Sequence, residues 1–407
     1  MLKGKLSRLL RKAALSVTFA AAAAVGAGTA SAAVPSSADT KPRPPAVVSV
    51  PGPATVPATV PGADLFPLPG FPVPAPADPG ATSTTTAVFN YLATLPNQSS
   101  HRLISGQWAG YGAVDGVELQ VIEKMTGQRV GLVGADYLDF NGTRISTGTV
   151  NASMIRYWNQ GALVDIDVHM PNPWTGGGPG DKTMGNFSDV ITPGTPAYTA
   201  YMASLDKIAD GLQQLQDAGV TVLFRPMMEM DGDWFWWGQQ RDFPRLWAQT
   251  FDYLTAARGL HNLLWVYSAS GRAPLAYYPG AQYVDLVGCD AYSYGESGGK
   301  APGYDLLVAT GKPFALTEFG LQSSVYTTQE NPPHDLHAAI GKIRSNMPAA
   351  VYFMAWSNAK GEGNNYWAID AQWNAASALN DDWVQNSAVP WNPAAVATRP
   401  PGSPPKQ

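Results

Sequence analysis

Apolar positions are distributed along the chain in three ways. Residues 13 to about 28 form an uncharged, alanine-rich apolar run. Residues 34–80 show no periodicity, because proline interrupts them every few positions. Beyond that, short continuous apolar runs alternate with stretches in which apolar residues return every three or four positions. The runs occupy residues 102–108, 130–137, 162–169, 221–229, 262–269, 284–292, 312–319 and 350–357. Being near-continuous rather than alternating, they predict parallel strands covered on both faces. Between them, residues 198–218 place Tyr201, Leu205, Ile208, Leu212 and Leu215 on one helical face, with Gly219 suited to close the helix. Residues 243–258 and 335–346 behave likewise. Eight strand–helix units in roughly 310 residues predict an α/β fold, the (β/α)8 TIM barrel. An open doubly wound sheet would need a glycine-rich phosphate loop after an early strand. The GGGPG run at 176–180 lacks the Lys-Ser/Thr that would make it one.

The regions outside the barrel read differently. Lys3, Lys5, Arg8, Arg11 and Lys12 precede the alanine-rich run, and Ala30-Ser31-Ala32 follows it. That order predicts a secretory signal peptide over 1–32. The apolar run is too short and too alanine-rich for a membrane anchor. Residues 33–82 read as a proline-rich linker, since proline removes amide donors and fixes φ. Residues 83–392 form the catalytic unit, and 393–407 a similar tail. Fourteen of the 35 prolines lie between 34 and 80.

Charge and cysteine content narrow the class further. The net charge of −5 becomes −10 when the five cations of the signal leave. A nucleic-acid partner would call for a basic face, and none is expected. The single cysteine, Cys289, lies in an apolar run and excludes an internal disulfide framework. No His-x-x-x-His or comparable cluster falls at the strand ends, so neither a metal nor another cofactor is expected.

In a barrel of this kind, chemistry belongs at the C-terminal strand ends. Strand four closes as FRPMMEMDGDWFWWG, with Glu229 at its end, and strand seven as FALTEFG, with Glu318. A carboxylate at the end of an apolar strand is costly unless paired. These two lie 89 residues and three strand steps apart, which suits opposite walls of one cleft. Two facing carboxyls, one protonated and one ionised, are what glycosidic bond cleavage requires. Trp108, Trp174, Trp234, Trp236, Trp237 and Trp356 also fall at or just after strand ends, where flat rings could receive sugar faces. Trp158, Trp247, Trp265, Trp373 and Trp383 fall where packing is expected. His169, Arg225, Asp290 and Tyr292 complete the strand-end set, with Arg225 and Tyr292 placed to stabilise the charge on Glu318.

The strand-four segment RPMMEMDGDWFWWG resembles the acid/base signature of glycoside hydrolase family 26, and the likeness runs from SGQ at 105–107 to AWSN at 355–358. The resemblance implies a retaining endo-β-1,4-mannanase-like barrel that needs no metal. It implies Glu229 as acid/base and Glu318 as nucleophile. Arg225, His169, Trp234 and Tyr292 would line the sugar site, with Asp290 and Trp356 nearby. The family usually carries histidine and asparagine where this chain has Met228 and Asp231. Methionine cannot donate the hydrogen bonds that a histidine there would supply. The implied substrate is a polysaccharide, β-mannan or a related β-glycan. The implied protein is secreted and monomeric, with no membrane contact after signal cleavage. A β-1,3-xylanase, a mixed-linkage β-glucanase and a carbohydrate-binding barrel with impaired catalysis are the alternatives.

Overall fold

The computed structural model describes residues 75–292, 299–321, 333–358 and 366–391. Eight parallel strands close on themselves: β1 (Leu103–Tyr111), β2 (Leu132–Asp136), β3 (Leu163–Val168), β4 (Val222–Pro226), β5 (Leu263–Ala269), β6 (Leu286–Ala291), β7 (Phe314–Phe319) and β8 (Ala350–Ala355). Each pairs with its sequence neighbour, and β8 and β2 both pair with β1 to complete the ring. Nearly every strand residue is buried, as continuous apolar runs require. The predicted TIM barrel is the fold observed.

Helix α1 (Ser83–Thr94) precedes the barrel, and α2 (Gly116–Thr126), α3 (Gly148–Asn159), α4 (Pro196–Asp217) and α5 (Phe243–Asp252) follow β1 to β4. Local chemistry sets their ends. Thr195 caps α4 by accepting from the Tyr198 amide, Pro196 occupies the first turn, and Gly219 adopts a left-handed φ of 72° just past the last residue. Asp115 caps α2 through the Val117 and Glu118 amides. After β5 the expected helix is replaced by a short 3₁₀ turn, Ala281–Tyr283. Helices α6 (Tyr304–Val308), α7 (Leu336–Asn346) and α8 (Ala375–Leu379) follow β6 to β8. A last strand, β9 (Val384–Gln385), pairs with the start of β1.

Two apolar layers hold the barrel together. The outer layer lies between strands and helices and includes Ile166, Phe224, Tyr201, Leu205 and Leu212. The inner one fills the barrel floor with Leu132, Leu163, Leu223, Leu264 and Leu286, closed from below by Val88, Phe89, Leu92 and Leu95 of α1 and the turn after it. Residues 75–82 also engage this floor. The Ala77 amide donates to Asp285 at 2.6 Å, and His261 pairs with Asp78 at 2.8 Å. Cys289 is buried in β6.

Strand four is shorter than its apolar run suggests. It stops at Pro226, and Met227 and Glu229 both take left-handed φ values, 49° and 55°. Such angles cost roughly 1–2 kcal/mol per non-glycine residue, so the turn is held by its surroundings.

The floor plug should be a major source of stability. Phe89 is fully buried, and Phe89→Ala should cost about 3–5 kcal/mol. Urea denaturation of wild type and variant would measure it; a loss below about 1 kcal/mol would show that α1 only rests on the barrel.

Candidate active site

The upper half of the barrel is polar and organised around one cation. Arg225, on β4, is fully buried. Its Nε and Nη2 donate to the two oxygens of Asp167 at 2.6 and 2.7 Å. Nη2 also donates to Glu318 at 2.7 Å, and Nη1 faces Asp290 and Ser268 at 3.3 Å. Asp290 further accepts from the hydroxyls of Ser268 (2.8 Å) and Thr317 (2.9 Å). Burial, then the charge of Glu318, pushes the Asp290 carboxyl up to about 8, against the pull of Arg225.

Glu318 is bonded on both oxygens. Arg225 holds Oε1, and the Tyr292 hydroxyl donates to Oε2 at 2.5 Å. Its side chain keeps only 7% of its surface, which points it at the cleft rather than at bulk water. Two donors converging on a barely exposed carboxylate suit a fixed nucleophile.

Glu229 sits opposite, in the turn beyond β4. Its amide donates to the Ser268 carbonyl at 2.8 Å, and its Oε2 accepts from Trp234 Nε1 at 2.6 Å. Burial, together with the charges of Asp290 and Glu318, raises its carboxyl well above the usual range; the Trp234 N–H and Arg225 pull the other way. The surroundings of the two carboxyls are therefore unequal: Glu318 accepts from two donors, whereas Glu229 is biased to carry a proton. Trp234 is fixed in turn, since the guanidinium of Arg272 lies 4.8 Å from its ring centre and pairs with Asp233 at 3.2 Å.

His169 projects just past β3. Its Nδ1 lies 2.5 Å from Asp136, and its ring stands edge-on to Tyr111 and Phe235. Burial is the largest influence and lowers the imidazole, but the charge and hydrogen bond of Asp136, with the charges of Glu318 and Asp167, together raise it. Trp356 stacks on Trp108 with centres 3.9 Å apart, and Tyr111 meets both rings edge-on. The Trp356 amide donates to the Phe319 carbonyl at 3.0 Å, which places this wall beside Glu318.

The strand-end residues thus divide. Glu229, Glu318, His169, Trp234, Tyr292, Trp356 and Trp174 lie at the catalytic face with partial or slight exposure. Four of the strand-end residues lie deeper. Trp236 is completely buried: its Nε1 donates to the Met170 carbonyl at 2.9 Å and its ring packs on Trp237 and Tyr201. Arg225 has no exposed surface, and the Asp290 side chain retains 1%, so both act beneath the site rather than in it. Trp237 is equally buried, bonded to the Met228 carbonyl. The family motif places four aromatics in a row, but the tight turn sends only Trp234 outward. Met228 itself is buried in the apolar layer. Asp231 takes the Ser270 and Ala273 amides at 2.6 and 2.8 Å, tying the turn after β4 to the loop after β5.

Sequence reading missed Asp136, Asp167, Ser268, Thr317 and Tyr111. The signal for Asp167 was available: an acidic residue inside the apolar run LVDIDV must be paired with a cation or carry a proton. For Ser268 and Thr317, nothing in an apolar strand separates a network hydroxyl from an ordinary one.

A (β/α)8 barrel whose strand ends carry two carboxyls in unequal surroundings beside aromatic rings has the constitution of a glycoside hydrolase. The chain belongs to glycosyl hydrolase family 26, whose sequence model matches residues 77–388. It is 35% identical over 339 residues to a mannan endo-1,4-beta-mannosidase of Bacillus subtilis strain 168, covering 78% of this chain and 90% of that protein. It is 37% identical over 331 residues to mannan endo-1,4-beta-mannosidase A and B of Caldalkalibacillus mannanilyticus, covering 76% of this chain and 62% of that one. Among solved structures, a Bacillus subtilis mannanase matches with a TM-score of 0.69 at 34% identity, covering 78% of this chain and 96% of the other.

Trp234→Phe removes a hydrogen bond that favours the charged form of Glu229. The Glu229 value should rise further, so the alkaline limb of the pH–rate profile should move to higher pH. A profile of kcat/KM across neutral to alkaline pH would check this; a limb that moves down would refute the assigned role of the indole.

Proposed function

We propose that the protein is a secreted, retaining endo-β-1,4-mannanase that hydrolyses mannan or glucomannan. The observation that carries the reading is the asymmetry of Glu229 and Glu318. Glu229, raised by burial and neighbouring charge, begins the cycle protonated. It gives that proton to the leaving glycosidic oxygen as Glu318 attacks the anomeric carbon and the glycosidic bond breaks. A covalent glycosyl–enzyme results. Glu229, now ionised, takes a proton from water; the water oxygen bonds to the anomeric carbon and Glu318 departs as carboxylate.

Arg225 and Tyr292 hold Glu318 on both oxygens and so fix it for attack. Trp356 on Trp108 and the outer face of Trp234 offer flat surfaces for sugars on the two sides of the cleft. The mannan preference rests on the relatives, which are mannan endo-1,4-beta-mannosidases. Export rests on the N-terminal pattern at 1–32, with 33–82 as spacer, 83–392 as the catalytic unit and 393–407 as tail. Among the described residues no helix is long and apolar enough to cross a membrane.

Glu318→Ala should abolish release of reducing sugar from glucomannan while near-UV circular dichroism stays that of wild type. Near-wild-type turnover in that variant would overturn the assignment. Wild type should shorten mannan and glucomannan, and leave β-1,3-xylan and barley glucan largely intact. Early product, followed by proton NMR, should be the β-anomer; an α-anomer would mean inversion. A folded wild type with no turnover on any of these polymers would instead favour a binding barrel.

A further inference from the structure

Strand β3 carries Asp165 and Asp167 two residues apart, so both side chains enter the barrel. Their situations differ. Asp167 is held on both oxygens by Arg225. The other N–H groups of Arg225 go to Glu318, Ser268 and Asp290. A guanidinium has five N–H donors, and all are engaged without reaching Asp165. Asp165 is fully buried, and neither of its oxygens meets a donor. Yet its carboxyl lies within hydrogen-bonding reach of the Asp167 carboxylate.

Two touching carboxylates with no donor between them would repel in a medium that screens poorly. The other walls offer little relief. Arg225 enters from β4, Asp290 from β6 and Glu318 from β7, so one guanidinium is shared by Asp167, Asp290 and Glu318 and none of its donors is left for Asp165. From β8 comes Tyr352, whose hydroxyl is buried and bonds to nothing. One proton placed between the two aspartates removes the conflict. It turns the closest contact from repulsion into a hydrogen bond.

We propose that Asp165 is held as a neutral carboxylic acid whose O–H donates to Asp167, making it a positioning residue for Arg225 and, through Arg225, for Glu318. Burial, and after it the charge of Asp167, drives Asp165 well above the usual carboxylate range, while Arg225 opposes. Tyr352 is pushed up as well, first by burial and then by Asp165, so it stays a neutral neighbour. Asp167 is then fixed from two sides, by a guanidinium fork and by an acid.

Infrared difference spectra of wild type against Asp165→Asn test the proton directly. The expected result is a protonated-carboxyl C=O stretch at neutral pH that the substitution removes; its absence from wild type would overturn the proposal. Kinetics test the positioning. Asp165→Leu leaves Asp167 without its second donor and should lower kcat about tenfold with little change in KM. Asp165→Asn retains an N–H donor and should recover most of that loss without moving the acidic limb of the pH profile. An asparagine variant as slow as the leucine one, or one whose acidic limb shifts, would mean that an ionised group had been removed. A leucine variant as fast as wild type would mean that Asp165 positions nothing. If leucine prevents folding, the infrared comparison and the asparagine pH profile still decide. The infrared measurement needs no substrate, so it stands or falls apart from the choice of glycan.

Discussion

A single buried guanidinium organises the catalytic half of the barrel. Arg225 has no contact with solvent, yet it reaches acidic groups on three other strands. A buried cation is tolerated only when its hydrogens are matched, and here every donor direction is used. The arrangement joins β3, β4, β6 and β7 by charge where the lower barrel joins strands by leucine packing. It also fixes the chemistry, because the most exposed of the three carboxylates that Arg225 binds is Glu318. Removing one member of such a set leaves others buried and unpaired, so the site tolerates loss poorly.

The second carboxyl of the proposed pair is positioned by another means. Glu229 stands in a turn with left-handed backbone angles at Met227 and at itself, after Pro226 ends the strand ladder. The turn is kept in place by the Glu229 amide on Ser268, by Trp237 on the Met228 carbonyl, and by Asp231 on the loop after β5. Strained backbone persists where surroundings over-determine it, and such places gather at active sites. Ser268 links the two devices. Its carbonyl receives the Glu229 amide, and its hydroxyl belongs to the Arg225–Asp290 network. Movement in one carboxyl's support is thereby felt by the other's.

Much of this could be read from the chain. Eight apolar runs gave the barrel, and the barrel's rule for strand ends selected Glu229 and Glu318 from 31 acidic residues. What failed to read was depth. Trp234, Trp236 and Trp237 are alike in sequence, and a turn of unusual angles decides that one faces the cleft while two pack inward. Arg225 was drawn to Glu318 and is found there, but it and Asp290 lie beneath the strand-end surface, because spacing gives neighbours and not layers. The helix missing after β5 has the same origin: residues 270–283 carry neither a clear apolar period nor a strand-like run, and a short turn suffices to span them.

The floor of the barrel has a consequence for how the molecule meets its surroundings. Ala77 is tied to Asp285 at the foot of β6, and Trp391 stacks on Trp158 beside the foot of β3. Both ends of the described chain therefore depart from the side opposite the carboxyls. Among the described residues, the strand ends that carry the carboxyls are thus left clear of both of these contacts, across the barrel from the floor plug.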